Sequence, residues 1–285
     1  MLLDFLMKKY DGISRNKAKA VLSKGGVMID GTVVTQFDHQ LEEGMVVEVS
    51  KKPRGEVHDV ERHFFDIVYE DNDIVVVNKA PGVLSMGVGE NSLNMKMLLD
   101  DYFARTRQKC RAHVVHRLDV RTSGLLLYAK TIESQCELVD NWQTIVTDRR
   151  YVAVVEGMMS KNSGHIESWL TDTPSRKVVS SPVPDGGKWA STDWRMIDTC
   201  GEYSLLELHL HTGRKNQIRV HMQVLGHPIV GDFKYGATSD PVGRLGLHAF
   251  KLAFYHPITH KPLSFETKYP SEFTSLFDRS SRNKR

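Results

Sequence analysis

The chain has 285 residues, enough for one large domain and one small one. With 40% hydrophobic and 26% charged residues it has the composition of an ordinary soluble globular protein. The formal net charge of +3 is small, so any affinity for nucleic acid must come from local patches rather than a global excess.

Taken in order, residues 1–50 read as a separate module. Leu2, Leu3, Leu6 and Met7 share a helical face. A second helix starts after Ser14, a good N-cap residue, and runs through Lys24 to stop at Gly25-Gly26. Val27–Ile29 and Thr32–Val34 flank Asp30-Gly31, a strong two-residue hairpin signal, and a third strand spans Met45 to Val49. The first 24 residues carry six Lys/Arg (Lys8, Lys9, Arg15, Lys17, Lys19, Lys24) against Asp4 and Asp11. A bare charge run is usually a solvated helix face. Here Ser14-Arg15-Asn16-Lys17-Ala18, Gly26 to Gly31 and Val33 together resemble the αL RNA-binding module of a small-subunit ribosomal protein and of tyrosyl-tRNA synthetases. That resemblance makes Arg15, Lys17 and Lys19 expected RNA contacts.

Residues 51–63, polar with Pro53 and Gly55, read as a linker. Strands follow at Phe65–Glu70 and Ile74–Val77 around an Asp71-Asn72-Asp73 turn, then a helix over 91–107 with Leu93, Met97, Leu98 and Phe103 apolar. His113–Thr131 reads as a strand, a tight loop and a buried strand, with Asp119 between Arg117 and Arg121 ahead of a Thr-Ser-Gly turn. Further strands lie at Tyr151–Val155, Tyr203–Leu210 and Leu247–Phe254, and a helix at Asn216–Leu225 stops at Gly226-His227-Pro228. The pattern predicts an α+β fold: a small N-terminal module, then a larger domain (64–275) on a mixed, mainly antiparallel sheet. Residues 276–285 are expected to be a basic tail, disordered from Arg279 onward.

A lone loop aspartate is most often a turn residue. An arginine beside Asp119, however, would keep a partly desolvated carboxylate ionised, as a nucleophile requires. Thr212-Gly213-Arg214 looks like a turn entering a helix, where the amides together with Arg214 and Lys215 could hold a phosphate. Ile218, Val220, Val224 and Leu225 make that helix half buried, so Arg219 needs a partner. Tyr151, at the head of a strand, is either a packing residue or a platform for an extruded base. His209 and His211 share a strand face, but no HExxH, cysteine pair or carboxylate cluster completes a metal site, and no Walker or dinucleotide loop is present. Cys110, Cys136 and Cys200 are isolated, which fits a reducing, cytoplasmic setting. No run approaches the ~20 apolar residues of a membrane span. Met1–Met7, broken by Asp4 and followed by Lys8-Lys9, is not expected to be a signal.

His116-Arg117-Leu118-Asp119 with Thr122 to Leu127, and Thr212-Gly213-Arg214 with Gln217 to His221 and Leu225 to Asp232, resemble the two signatures of the RluA family of pseudouridine synthases. Asn78-Lys79, Tyr151, Leu247-His248-Ala249 and His256-Pro257 match in the same order, so the likeness spans roughly residues 64–270. It implies isomerisation of uridine to pseudouridine without a cofactor or metal. Asp119 would act on the ribose, Arg219 would pair with Asp119, and Tyr151 would stack on uracil. Arg117 would fill the space left by the flipped base, and Lys79, Arg214 and Lys215 would contact RNA. The expected partner is RNA, large-subunit ribosomal RNA ahead of tRNA, with a monomeric, membrane-free protein. Rival readings are a non-catalytic ribosome-associated RNA-binding factor and a hydrolase pairing Asp119 with Glu207. The chain departs from the family pattern at Val120-Arg121, Ala80-Pro81 and Lys215-Asn216, departures expected to tune RNA docking and not chemistry.

Overall fold

The structure is a computed structural model, and the residues it describes are 1–10, 13–23, 26–29, 32–42, 44–49, 64–87, 93–175 and 177–282. The Asp30-Gly31 turn, the Lys24-Gly25 helix stop, the 51–63 linker, the first two residues of the 91–107 helix and the last three of the tail lie outside them.

The N-terminal residues form helices α1 (Leu2–Lys9) and α2 (Arg15–Ser23) and strands β1 (Val27–Ile29), β2 (Thr32–Val33) and β3 (Val47–Val49). The antiparallel sheet runs β2-β1-β3. Ser14 accepts from the Lys17 amide at 3.3 Å, satisfying one of the donors that a helix start leaves open. Leu2, Leu3, Leu6, Ala18, Leu22, Val27 and Ile29 make a core of their own, whereas Met7 is exposed.

An eleven-stranded sheet occupies most of the remainder. Its strands are β4 (Phe65–Glu70), β5 (Ile74–Lys79), β6 (His113–Val114), β7 (Ser123–Ala129), β8 (Val146–Glu156), β9 (Ser163–Asp172), β10 (Val178–Ser181), β11 (Lys188–Thr199), β12 (Tyr203–Leu210), β13 (Leu247–Tyr255) and β14 (Pro262–Glu266). The path is β10-β9-β11-β12-β8-β13-β7-β5-β4, with β14 on β13 and β6 on β7. All pairings are antiparallel except β13 with β7. The helices are α3 (Met95–Arg105), α4 (Ile132–Asp140), α5 (Trp142–Ile145), α6 (Gln217–Val224) and α7 (Ser271–Arg282). None among the described residues is long and apolar enough to cross a membrane.

The apolar runs of β5 and β7 follow from burial on both faces. Val75, Val77, Leu126 and Tyr128 pack under α3, while Ile74, Val76, Leu125 and Leu127 pack with Leu138, Leu252 and Phe254 on the other side. Helix α3 is capped by Asn94, which accepts from the Met97 amide; it buries Met95, Leu98, Leu99 and Phe103 and leaves Met97 exposed. Where the two halves of the sheet meet, the parallel pair brings Gly124 (φ +115°) against Ala249, and a Cβ there would lie 2.2 Å from the Ala249 carbonyl oxygen. Only glycine fits that seam.

The expected tail needs correction. Residues 271–282 are helical, and Phe273 and Phe277 are buried against Val152, Val154 and Phe250. An apolar pair four residues apart outweighs the basic composition that begins at Arg279.

Candidate active site

Asp119 lies in the loop between β6 and β7, and that loop is fastened on both sides of the aspartate. The Ser85 hydroxyl donates to the Leu118 carbonyl (2.9 Å) and accepts from the Leu118 amide (3.0 Å), while the Tyr128 hydroxyl holds the Ser85 carbonyl (2.6 Å). The Val120 carbonyl accepts from the Gly82 amide (2.7 Å) and from Lys79 Nζ (3.3 Å). The Thr122 amide closes the turn onto the Asp119 carbonyl at 3.1 Å. Only the carboxylate of Asp119 is left to reach outward, one-quarter exposed.

Arg219 meets it from α6. Its Nη1 donates to Asp119 Oδ2 at 3.1 Å and to Asn216 Oδ1 at 3.1 Å. Its other edge makes a bidentate fork with Asp232, Nε to Oδ2 at 2.6 Å and Nη2 to Oδ1 at 2.7 Å, and the guanidinium lies over the Tyr235 ring at 4.8 Å. Asp232 is fully buried. Burial opposes the Arg219 charge, but Asp232 and then Asp119 outweigh it and raise the pKa above the usual arginine value. Arg219 is thus held by a buried carboxylate so that one nitrogen faces a second, accessible one.

Tyr151 stands on β8 opposite Leu208 and Ala249, wedged between the cores under α3 and α6. Burial raises its pKa, Arg149 opposes the rise, and the charge of Asp119 adds to it, so the phenol is neutral and close to both. His116 accepts the Leu127 amide at Nε2 (2.9 Å) and packs on Trp142; burial and Arg149 push its pKa down to about 3. The site therefore offers one carboxylate, one phenol and a fixed guanidinium.

A family model for RNA pseudouridylate synthases matches residues 73–224. An uncharacterized RNA pseudouridine synthase of Bacillus subtilis is 34% identical over 93% of this chain and 94% of that protein. The ribosomal large subunit pseudouridine synthase D of Vibrio cholerae is 33% identical over 94% of this chain and 87% of its own length. The chain belongs to the RNA pseudouridylate synthase family. It is an isomerase acting on RNA. The human RNA pseudouridylate synthase domain containing 4 shares the fold, with a TM-score of 0.64 at 22% identity over 79% of this chain and 95% of that one.

Against this synthase framework the expected site residues divide. Asp119, Arg219 and Tyr151 come together from a loop, a helix and a strand. Arg117 is exposed and has no partner among the described residues. Arg15, Lys17 and Lys19 are exposed on α2, with Lys19 over the Phe37 ring at 4.7 Å. Lys79 must be corrected: it is 1% exposed, and its ammonium donates to the carbonyls of Ala80 (2.8 Å), Val83 (3.0 Å) and Val120, so it cannot reach an RNA phosphate. The phosphate turn is also corrected in part. The Arg214 amide is taken by Gln217 Oε1 (2.9 Å), Arg214 Nε by the Trp189 carbonyl (2.9 Å), and Lys215 by Asp172.

Glu207 is paired with Arg150 (2.8 Å) and Arg195 (2.7 Å) and lies beside Leu208 on β12, hence on the sheet face opposite Tyr151. It is no partner for Asp119. Two of the departures from the family pattern touch the Asp119 cluster: Asn216 Oδ1 accepts from Arg219, and Arg121 donates to the Gly231 carbonyl (2.8 Å) next to Asp232.

Spacing alone revealed no metal ligands, yet the sheet sets Asp193 between His165 (2.5 Å) and His211 (2.6 Å); Asp71, Asp73 and His256 form a second such group. Asp193 pairs with His209, so its cluster lies on the face away from Tyr151 and takes no part in the Asp119 site.

Proposed function

We propose that this enzyme isomerises uridines of large-subunit ribosomal RNA, with Asp119 as the reacting carboxylate. The uridine leaves its stack, at a cost of a few kcal/mol, and Arg117 fills the vacancy. Its N-glycosidic bond breaks as Asp119 acts on the ribose. The uracil turns, rejoins C1′ through C5, loses the C5 proton and gains one at N1. Glycosidases that hydrolyse use a second carboxylate to handle water or the leaving group. Here Asp119 has a guanidinium and a phenol near it instead, a set suited to retaining the base.

The Asp119–Arg219–Asp232 chain is the observation that carries this reading. Asp232 fixes Arg219, and Arg219, donating to Asp119 Oδ2, aims the carboxylate. Tyr151, neutral on the same face, stacks on uracil and is positioned to assist the final proton removal. The target class rests on the printed names of several relatives, ribosomal large subunit pseudouridine synthase D among them. It is supported by exposed Arg15, Lys17 and Lys19 on an N-terminal module (1–50) ahead of the catalytic domain beginning at residue 64. We place the enzyme in the cytoplasm as a monomer.

Incubating it with uridine-labelled large-subunit transcript should give pseudouridine. Free uracil would indicate a hydrolase, and no change in base would indicate a binding factor. Mapping pseudouridines in cells with and without the gene names the target.

A further inference from the structure

Arg149 is the cation around the site that the Asp119 chemistry leaves unused. It is two residues before Tyr151 on β8 and so shares that face of the sheet. It is half-buried, and its guanidinium lies 5.8 Å from the Trp142 ring. On another side is Gly213, where a Cβ would sit 2.7 Å from Arg149 Nη1. A side chain at 213 would evict the guanidinium, so the second signature opens a berth for it. Its charge is felt by Tyr151 and His116, neither of which is an anion. Among the described residues no carboxylate, carbonyl or hydroxyl accepts from Arg149. The other partly buried arginines of the region, Arg219, Arg121, Arg150 and Arg244, each have an acceptor, and Arg117, without one, is exposed to water. Removing a guanidinium from water without an acceptor costs stability, and burial lowers its pKa accordingly. Such a group is satisfied when an anion arrives from outside.

Resting on the uridine-isomerase reading, we propose that Arg149, in the berth of Trp142 and Gly213, binds a backbone phosphodiester of the RNA beside the target uridine. A nucleotide whose ribose is at Asp119 and whose base is at Tyr151 brings its own phosphodiesters to the same sheet face. The planar fork of arginine suits two phosphate oxygens, and the neutral surroundings leave its full charge for them. The contact positions the nucleotide and reads no base.

The test compares wild type, Arg149→Met and Arg149→Lys for binding to a large-subunit ribosomal RNA transcript across a salt series, alongside thermal unfolding. R149M should weaken binding about ten-fold or more and flatten the plot of log K against log salt by about 0.7 to 0.9 per lost phosphate contact. Its melting temperature should hold or rise, because an uncompensated charge has gone. R149K should keep most of the salt slope. A methylphosphonate at the phosphodiester flanking the mapped uridine should weaken wild type as R149M does and weaken R149M little further. An unchanged salt slope in R149M overturns the proposal, as does a large drop in its melting temperature, which would make Arg149 a structural cation. Failure of the isomerase reading is distinct: wild type itself would then form no pseudouridine.

Discussion

Two cations flank Asp119, Arg219 partly buried and Lys79 fully so, and they are balanced in opposite ways. Arg219 is gripped by the carboxylate of Asp232, so its charge is permanent and paired. Lys79, on the β5 side, has three carbonyls and no carboxylate in contact; burial pushes its pKa down to about 7, with Asp119 nearby opposing that fall. One side of the aspartate is an ion-pair relay fixed at any physiological pH. The other is a titratable peg holding the backbone of the loop. Function and loop architecture thus use the same kind of charge with different partners.

The sharpest way to break this comparison is to remove one end of the relay. Arg219→Ala leaves Asp232 buried and unpaired and should cost about 3–5 kcal/mol, read by denaturant unfolding. The double change Arg219→Met with Asp232→Leu should recover most of that stability and none of the activity, separating packing from chemistry. Next is the peg. Lys79→Met leaves the Ala80, Val83 and Val120 carbonyls without their shared donor and should destabilise by about 1–3 kcal/mol, with a lowered turnover rate as the Asp119 loop loosens.

A subtler effect is in pH. The folded pKa of Lys79, about 7, is below its unfolded value, so between these the unfolded chain binds the extra proton. The stability this group contributes is fully present above the unfolded pKa and is lost as pH falls through about 7. In Lys79→Met that part of the slope of unfolding free energy against pH should vanish; an identical slope in both proteins would show that Lys79 does not titrate there. The smallest effect belongs to the far face. His211→Ala breaks an exposed pair with Asp193 and should change stability by less than about 1 kcal/mol and turnover not at all.

Much of this was legible beforehand because local pattern and chemistry coincided. The uninterrupted apolar runs of β5 and β7 announced strands buried on both faces, and the half-buried helix around Arg219 demanded a partner for it. What stayed hidden depends on distant pairing. Asp232 looks like a turn residue until α6 folds back on it, and Lys79 reads as a surface basic residue until β5 is covered. Strands β9 and β11 bury polar Ser168, Ser191 and Thr192 and expose Trp189, so the apolar alternation that marks a strand is broken in them. Arg149 lies two residues before Tyr151, but only the fold shows that nothing among the described residues accepts its hydrogen bonds.

The central claim is that one carboxylate, Asp119, does the work. Tritium release from RNA labelled at uridine C5 tests it directly, with Asp119→Asn set against wild type and RNA binding measured in parallel. Wild type should release tritium; the variant should bind RNA with similar affinity and release none. Measurable turnover by Asp119→Asn would contradict the account.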